Sequence, residues 1–386
     1  MMEGKIADKK RFAEKLRERG FFRPCALFSF GFFALGVVVY LLSRFIPDFA
    51  EFWARYPSQG IRFLLAKITG ILPFSFAEFV ILTLPISVAA YFIFSGRSMK
   101  RDDSKENYYR WLIPLVCVLL VIAALFLTAF GPCYFRYSLA ENLDLTEREV
   151  TAEELYLTAE ILNEKIGQLE SQLQFDIHGA CIMPYDYNTL VEKINDAYET
   201  YGAEADYVGH FDSYAKPMAI SNVFTYTHIS GIYTFMTGEV NINTNYPDFV
   251  RPFTVAHEFS HQRGIAREDE ANFVAYLVCI GSEDAFVQYS GYVSLLQYVT
   301  DALYEADKKM YEAFYTQSMH PRVVSEFRAY SKFFEPYRSS AASEIAGAVN
   351  DTFLNSQGQT EGRASYGLVV DLAVAYYLPE NLQAKE

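Results

Sequence analysis

The sequence predicts an α-dominant α+β protein in which three N-terminal transmembrane helices precede a mainly helical, water-exposed domain with a small β-sheet. Of the 386 residues 51% are hydrophobic, yet the mean hydropathy is only +0.04. This balance is too apolar for a purely soluble protein and too polar for one that lies wholly in a bilayer. Three long apolar segments precede residue 131. Helical periodicity dominates after it, and one stretch there changes to β-branched and aromatic residues.

Charge divides the chain at the same point. Residues 1–130 carry 17 Lys and Arg against 10 Asp and Glu, whereas residues 131–386 carry 16 against 37. We therefore expect a membrane domain over 1–130 and a separate domain over 131–386. The acidic second half is not expected to bind nucleic acid, because neutralising phosphates requires a basic surface. Whether one disulfide joins two of Cys133, Cys181 and Cys279 stays open at this stage.

The membrane segments are predicted at about residues 24–43, 71–95 and 111–130. Each has about 20 residues, which is enough to cross the hydrocarbon core of a lipid bilayer. The first is long for a signal peptide and lacks a clear cleavage site, so we predict a retained helix. Basic residues cluster before the first segment and again over 97–110. The positive-inside rule therefore places the N-terminus in the cytoplasm and residues 131–386 outside the cell membrane.

Two features near the second segment are predicted to lie at the membrane surface. The stretch Ile61–Ile68 is amphipathic, which is typical of a helix in the interface plane. Glu78 lies about two turns from the end of the segment. Its carboxylate is therefore expected to reach the lipid headgroups rather than to work at membrane depth.

The outer domain is predicted to be mostly helical. Its first helix begins with a capping box formed by Thr151 and Glu154. Helices are predicted at about 151–172, 188–201, 285–316, 322–334 and 343–353, with a last helix that contains Tyr366. A small sheet is predicted between about 219 and 245. Within it, Gly238–Asn243 is either an edge strand that pairs with an extended peptide or an ordinary strand with one wet face.

The stretch Thr254–Gly264 contains His257-Glu258-Phe-Ser-His261. On a helix the two histidines stand on one face, four residues apart, with Glu258 about 100° round the axis beside them. Neutral imidazoles are zinc ligands, and a catalytic zinc site has three protein ligands and an open position for water. We therefore predict that His257 and His261 bind Zn²⁺ and that a third ligand lies nearby.

The third ligand is sought on the segment that follows. Gly264 is predicted to end the first helix in a left-handed cap, and residues 266–279 are predicted to form a second helix that turns back. On this second helix Glu268 and Asn272 share a face. We expect Glu268 to be the third ligand and Asn272 to hydrogen-bond a ligand histidine. Glu270 is the alternative ligand, about 200° round the axis from Glu268, and only one of the two carboxylates can face the metal.

His257-Glu258-x-x-His261 with the downstream Glu268-x-x-Ala271-Asn272 resembles the gluzincin zinc metallopeptidases, although the gap before Glu268 is shorter than in most of them. The resemblance implies a zincin-like domain that acts on a peptide or protein substrate. Glu258 would be the general base for a zinc-activated water. A tetrahedral oxyanion would also need a hydrogen-bond donor, for which the candidates are His228, His320 and Tyr366, with Tyr366 preferred as a catalytic residue.

The three membrane segments, Arg136–Leu143, Gly238–Asn243 and the His-Glu-Phe-Ser-His block are together similar to the DUF3810 family of bacterial multi-pass membrane proteins. This resemblance covers nearly the whole chain but implies no substrate. Two alternatives to a peptidase stay open: a non-catalytic zinc-binding envelope or sensor protein, and a zinc hydrolase of a non-peptide envelope amide. An intramembrane protease is not expected, because charged residues such as Arg263 and Arg267 crowd the motif.

Overall fold

The computed structural model describes residues 23–146, 148–338, 344, 347–348 and 366–379. Helices make up most of this part of the chain, and two small sheets accompany them, so the predicted α-dominant α+β class is confirmed. The five cysteines are free thiols, which answers the question of a disulfide among Cys133, Cys181 and Cys279. The predicted helix at 343–353 lies mostly outside the described residues.

Three N-terminal helices are long and apolar enough to cross a membrane, as predicted. The helices of this part are α1 (Pro24–Phe45), α2 (Pro47–Trp53), α3 (Gln59–Gly70), α4 (Phe76–Arg101) and α5 (Lys105–Leu125). Helices α1, α4 and α5 are the three possible spans, and the third continues through a π turn and a 3₁₀ turn to Phe135. Helix α4 begins five residues later than predicted because the Ser75 side chain caps it by accepting the N–H of Glu78.

The segment between the first two spans is almost continuously helical. Helices α2 and α3 are joined by a π turn over Ala54–Ser58. One face of this segment and its flanks exposes large apolar side chains: Ile46, Phe52, Tyr56, Phe63, Leu64, Ile68, Ile71 and Phe74. The opposite face packs against the rest of the protein, with Ala50, Ala54 and Arg62 completely buried. This distribution agrees with the amphipathic character predicted for Ile61–Ile68.

The described part of the chain from Leu139 onwards packs around one hydrophobic core. Its helices are α6 (Leu139–Asn142), α7 (Ala152–Leu169), α8 (Tyr187–Glu204), α9 (Ser221–Phe224), α10 (Val250–Gln262), α11 (Glu268–Ile280), α12 (Ala285–Ala306), α13 (Lys308–Ala313), α14 (Pro321–Phe334) and α15 (Tyr366–Tyr377). Helix α12 is central and contacts α7, α10, α11 and α15. Phe259, Tyr276 and Tyr289 are completely buried in this core. The predicted capping box of Thr151 and Glu154 opens α7.

The sheets are small. Strands β1 (Gln174–Phe175) and β2 (Cys181–Ile182) form an antiparallel pair. The second sheet contains β3 (Ala215–Pro217), β4 (Gly231–Thr234) and β5 (Glu239–Ile242). Strand β5 lies in the middle, parallel to β3 and antiparallel to β4. Of the two alternatives for Gly238–Asn243, the edge strand is therefore wrong: this stretch contains the central strand, and β4 forms one of the two edges.

Two buried carboxylates join this sheet to the second span. Glu239 on β5 accepts hydrogen bonds from the backbone N–H groups of Phe76 and Ala77 at the start of α4, at 2.9 and 2.8 Å. It also pairs with the buried Lys216 on β3, with 2.6 Å between Nζ and Oε1. The second carboxylate is Glu78 on α4. It accepts hydrogen bonds from the backbone N–H groups of Ala219 and Ile220, which follow β3. Glu78 thus binds the protein's own backbone instead of reaching the headgroups.

Candidate metal centre

Two consecutive helices carry the predicted metal ligands. Helix α10 brings His257, Glu258 and His261 along one side, and α11 begins at Glu268. Between them the chain reverses at Gly264, which has a φ of +100°. A side chain at this backbone conformation would be strained, so the glycine permits the tight turn that the sequence predicted. The short loop then presents Glu268 to the two imidazoles.

The three donor atoms converge on one point. The Nε2 atoms of His257 and His261 are 3.1 Å apart, and Oε2 of Glu268 lies 3.2 and 3.5 Å from them. Zinc–ligand bonds of about 2.0–2.2 Å in a tetrahedral site place the ligand atoms about 3.3–3.6 Å from one another. The three separations lie within about 0.2 Å of this range, and two imidazoles with one carboxylate are a donor set that binds zinc. Within the described residues these are the side chains grouped closely enough to hold a metal.

The carboxylate of Glu270, two residues further on, lies elsewhere. Glu270 accepts a hydrogen bond from the backbone N–H of Leu139 at 2.8 Å and lies 3.7 Å from Arg267. It therefore faces α6 and not the imidazoles. Of the two alternatives, the structure brings Glu268 to the histidines.

The orientation of each imidazole is fixed differently. Nδ1 of His261 lies 2.8 Å from the carbonyl oxygen of Ile265, so the ring donates there and turns Nε2 towards the metal position. Nδ1 of His257 is buried and has no hydrogen-bond partner among the described residues. Asn272 does not supply one. Its Oδ1 accepts the hydroxyl of Tyr298 at 3.4 Å, because Asn272 points from α11 towards α12. The predicted bond from Asn272 to a ligand histidine is absent, and a backbone carbonyl has that role for His261.

The electrostatics of the cluster are those of tightly coupled opposite charges. Burial works to lower the pKa of His261, but the nearby carboxylate of Glu268 outweighs it and raises this pKa to about 9. Burial works to raise the pKa of Glu268, but the two histidines hold it well below its usual range. The carboxylate is therefore ionised at neutral pH and ready to bind a cation.

Glu258 stands beside this cluster against the sheet. Burial raises the pKa of its carboxyl group above the ordinary value, opposed by His257, His261 and the backbone N–H of Tyr233. Strand β4 passes so close that a Cβ at Gly231 would lie 2.7 Å from Cγ of Glu258. Only glycine leaves room for the Glu258 side chain there, so the position of β4 and the position of this acid depend on each other.

The outer edge of β4 pairs with no other described strand. The N–H of Asn243 donates to the carbonyl of Ser230, which sets the alternation of the antiparallel ladder. The backbone groups of Ile232 and Thr234 therefore also bond to β5. The backbone groups of Gly231 and Tyr233 point away from β5. Of these outward groups, the N–H of Tyr233 donates to the carboxylate of Glu258. The N–H and carbonyl of Gly231 and the carbonyl of Tyr233 also face away from β5, beside this acid.

The end of the third span forms one wall of the centre. The ring of Phe130 lies edge-on to the imidazole of His261, with 6.2 Å between centroids. Phe130 also packs on Tyr134 and on Tyr233 of the edge strand. The phenol of Tyr134 lies near the carboxylate of Glu268. Phe130 and Tyr134 are more than 120 residues away from the His-Glu motif, and no local sequence pattern connects them with it.

Arg62 joins this wall to α10, the helix that carries His257 and His261. Its guanidinium is completely buried and donates to the carbonyls of Gln262 and Ala129, each at 2.9 Å, and of Ala54 at 3.2 Å. Gln262 is the last residue of α10, and Ala129 lies near the C-terminal end of the third possible span. Arg62 thus satisfies carbonyls at the ends of both elements and fixes their separation.

The three candidates for the oxyanion donor are not brought to the centre by any described contact. The Nε2 atom of His228 lies 2.8 Å from the carbonyl of Tyr337, and the ring packs on Phe334. His320 caps α14 and lies 3.5 Å from Glu170. Tyr366 begins the last helix as predicted, but its side chain lies outside the described residues. Tyr134 is the phenol that the described structure places near the cluster.

Comparison with protein families identifies the chain. The model of the family described as protein of unknown function DUF3810 matches residues 54–374. The protein belongs to this family. The match begins in the π turn after α2 and ends in α15, so it includes two of the three spans as well as the metal centre. Comparison with curated proteins and with solved structures gave no match.

Proposed function

We propose that this DUF3810 protein is a zinc-dependent metallopeptidase of gluzincin type. Three membrane helices would anchor it in the cell membrane, with its N-terminus in the cytoplasm and residues 131–386 outside. His257, His261 and Glu268 would hold the zinc, and Glu258 would be the general base. The observation that carries this proposal is the tetrahedral spacing of the three donor atoms beside a buried carboxylate on the same helix.

Accessibility favours a catalytic zinc over a purely structural one. The Glu268 side chain is 30% exposed and that of His257 is 15% exposed, so a small molecule can reach the donor cluster. Three protein donors leave a fourth tetrahedral position open, whereas structural zinc sites are closed by four protein ligands. This argues against the non-catalytic envelope or sensor protein.

The chain's own residues supply the proton transfers. Zinc, when bound, would polarise the scissile carbonyl and make a water more acidic. The carboxylate of Glu258 takes the proton of the attacking water and passes it to the leaving amine. Because burial raises the pKa of Glu258, its protonated form is more stable than that of an exposed acid, which suits the second half of this task.

The edge strand favours a peptide substrate over another amide. The outward N–H and carbonyl of Gly231 and the outward carbonyl of Tyr233 lie beside Glu258 and can pair with an extended polypeptide. A non-peptide envelope amide offers no matching row of donors and acceptors. The peptide bond aligned by β4 would lie next to the base and the metal.

The first test is the metal content of the full chain purified in detergent. We expect about one zinc per chain, lost in His257→Ala and Glu268→Ala and retained in Glu270→Ala. Glu270→Ala is the matched control, because it removes a buried carboxylate only two residues away. Folded, unaltered protein without zinc, or zinc that survives Glu268→Ala, contradicts the proposed site.

The second test separates a peptidase from the alternatives. Glu258→Gln keeps the shape of the side chain but cannot accept the proton, so peptide cleavage should fall about 10²- to 10⁴-fold while zinc is retained. Unchanged cleavage would assign the activity to a contaminating enzyme. If the unaltered zinc protein cleaves a non-peptide amide and no peptide, the proposed substrate class is wrong.

A further inference from the structure

The metal centre lies at the outer end of the third span. Helix α5 and its continuation cross the membrane once, and Phe130 near its outer end touches the ligand His261. One turn deeper in the same span, Phe126 packs on Phe235, with 5.3 Å between ring centroids. Phe235 directly follows β4. The edge strand therefore descends along the third span, with its first residue at the metal centre and its end nearer the bilayer.

The turn after β4 rests on the other membrane-facing elements. The hydroxyl of Thr69 on α3 donates to the carbonyl of Thr237 at 3.1 Å. Glu239, two residues later, caps the outer end of the second span. The exposed face of α3, with Leu64 and Ile68, is apolar and suited to the interface. These contacts place the end of the β4–β5 hairpin at the level of the membrane surface.

We propose that the substrate is a polypeptide segment that emerges from the outer face of the membrane, with its hydrophobic anchor on the N-terminal side of the cleaved bond. This inference rests on the proposed function and names its substrate class. An extended chain paired with the free edge of β4 would run continuously from the membrane surface to the base.

The polarity follows from the direction of β4. The strand runs from Gly231, at Glu258, towards Phe235, at the third span. Antiparallel pairing is the more stable arrangement and makes the bound chain run in the opposite direction. The N-terminal residues of the substrate then lie at the membrane end, and its C-terminal residues lead away past the metal centre.

The distance to the cleaved bond follows from the strand geometry. At about 3.4 Å per residue, the four steps from Gly231 to Phe235 span about 14 Å. An extended substrate covers this with about four residues, so cleavage is expected within about six residues of the membrane surface. A soluble peptide would make the same edge contacts without the benefit of confinement next to the site.

The test uses the full chain reconstituted in lipid vesicles with three substrates that share one flexible reporter segment. One carries a transmembrane helix before the segment, one carries it after the segment, and one is free. We expect the N-anchored substrate to be cleaved at least about tenfold faster than the free one, because anchoring raises its effective concentration at the site. Mass spectrometry should place the cleavage within about six residues of the anchor. Equal rates for free and anchored segments, or preference for the C-anchored one, would overturn the proposal.

A binding measurement separates this proposal from the peptidase activity. A photo-crosslinking residue is placed at Met236 or at Ser230 in the Glu258→Gln protein, which should bind without cleaving. Met236 should capture substrate residues next to the anchor, and Ser230 should capture residues further towards the C-terminus. The reverse order, or no cross-link, overturns the proposed docking. Cross-links in the expected order, without cleavage by the unaltered protein, would support the docking and reject the peptidase.

Discussion

Phe130 packs the edge of its ring on the imidazole of His261, with 6.2 Å between centroids and 78° between the ring planes. One residue belongs to a helix that can cross a membrane and the other to the metal centre. The contact is almost completely buried, since both side chains are less than 10% exposed. The orientation of the His261 imidazole, a candidate metal ligand, therefore depends on the end of a helix that can cross a membrane.

Phe130→Ala should weaken zinc binding. Removing the ring leaves a cavity beside His261 and releases one constraint on the imidazole, so we expect zinc affinity to fall about 10-fold, as for other changes in the surroundings of a metal ligand. Competition with a fluorescent chelator measures the affinity. Phe45→Ala, which removes an exposed phenylalanine at the end of the first span, is the control and should leave zinc affinity unchanged. Equal affinities for the two variants would contradict a supporting role for Phe130.

Gly231→Ala should separate zinc binding from catalysis. The new Cβ would lie 2.7 Å from Cγ and 2.8 Å from Oε1 of Glu258, so the base or the edge strand must move. We expect peptide cleavage to fall about 10²-fold, because general-base catalysis requires hydrogen-bond reach of the attacking water. Zinc content should not change. Gly60→Ala is the matched control, because a Cβ at Gly60 meets no atom within 4 Å. Full activity in Gly231→Ala would argue against Glu258 as the base.

Zinc binding should release about one proton per chain between pH 7 and pH 8. His261 has a pKa raised to about 9 by Glu268, so the metal-free site is protonated in this range, whereas zinc needs the neutral imidazole. Zinc affinity should therefore rise about tenfold per pH unit and level off above pH 9. Calorimetry in buffers with different ionisation enthalpies counts the protons. Zinc binding without proton release would contradict the ion pair of His261 and Glu268.

Glu326→Gln should change the pH dependence of stability. Glu326 is completely buried, and burial raises its pKa to about 7, although Cys181 N–H and the Tyr289 hydroxyl donate to it. Between pH 4.5 and pH 7 the unfolded chain loses this proton while the folded protein keeps it. The free energy of unfolding should therefore fall across this window, by about 3 kcal/mol for this group. Glutamine has no such proton, so the variant should lose correspondingly less stability.

Chemical denaturation of the full chain at pH 5 and pH 8 measures the difference. Asp301→Asn is a useful comparison, because burial also raises the pKa of Asp301, which lies on α12. If the unaltered protein and Glu326→Gln show the same change in unfolding free energy between the two pH values, the raised pKa of Glu326 is wrong.

Local sequence patterns predicted most of the helices and the grouping of His257, His261 and Glu268. The three apolar segments became the three possible spans because their length and hydrophobicity suffice to define a helix in lipid. The grouping of His257 and His261 was predictable because helix geometry alone brings residues four apart onto one face. The turn at Gly264 was predictable because glycine is the usual residue in the left-handed conformation that ends a helix. Glu268 lies only seven residues beyond His261, so its approach also depends on local structure.

The surroundings of the centre could not be predicted in the same way. Asn272 shares a helical face with Glu268, but α12 and its Tyr298 determine where its amide points. Gly238–Asn243 has the alternation of a strand, but only the pairing order β3–β5–β4 decides that this strand is central. The same order makes β4 one of the two edge strands. Strand order depends on contacts between distant segments, which periodicity does not encode.

The sequence by itself determined that this protein is an α-dominant chain with three possible membrane helices and a His-Glu-x-x-His helix followed by a nearby glutamate. Only the tertiary structure decided that Phe130 near the end of the third possible span contacts His261, that Arg62 joins that helix to α10, and that β4 runs along it towards Phe126. The physical reason is the range of the interactions. Helix periodicity, capping and hydrophobic length act over a few neighbouring residues, whereas the wall and the approach to the centre come from packing between segments more than 100 residues apart.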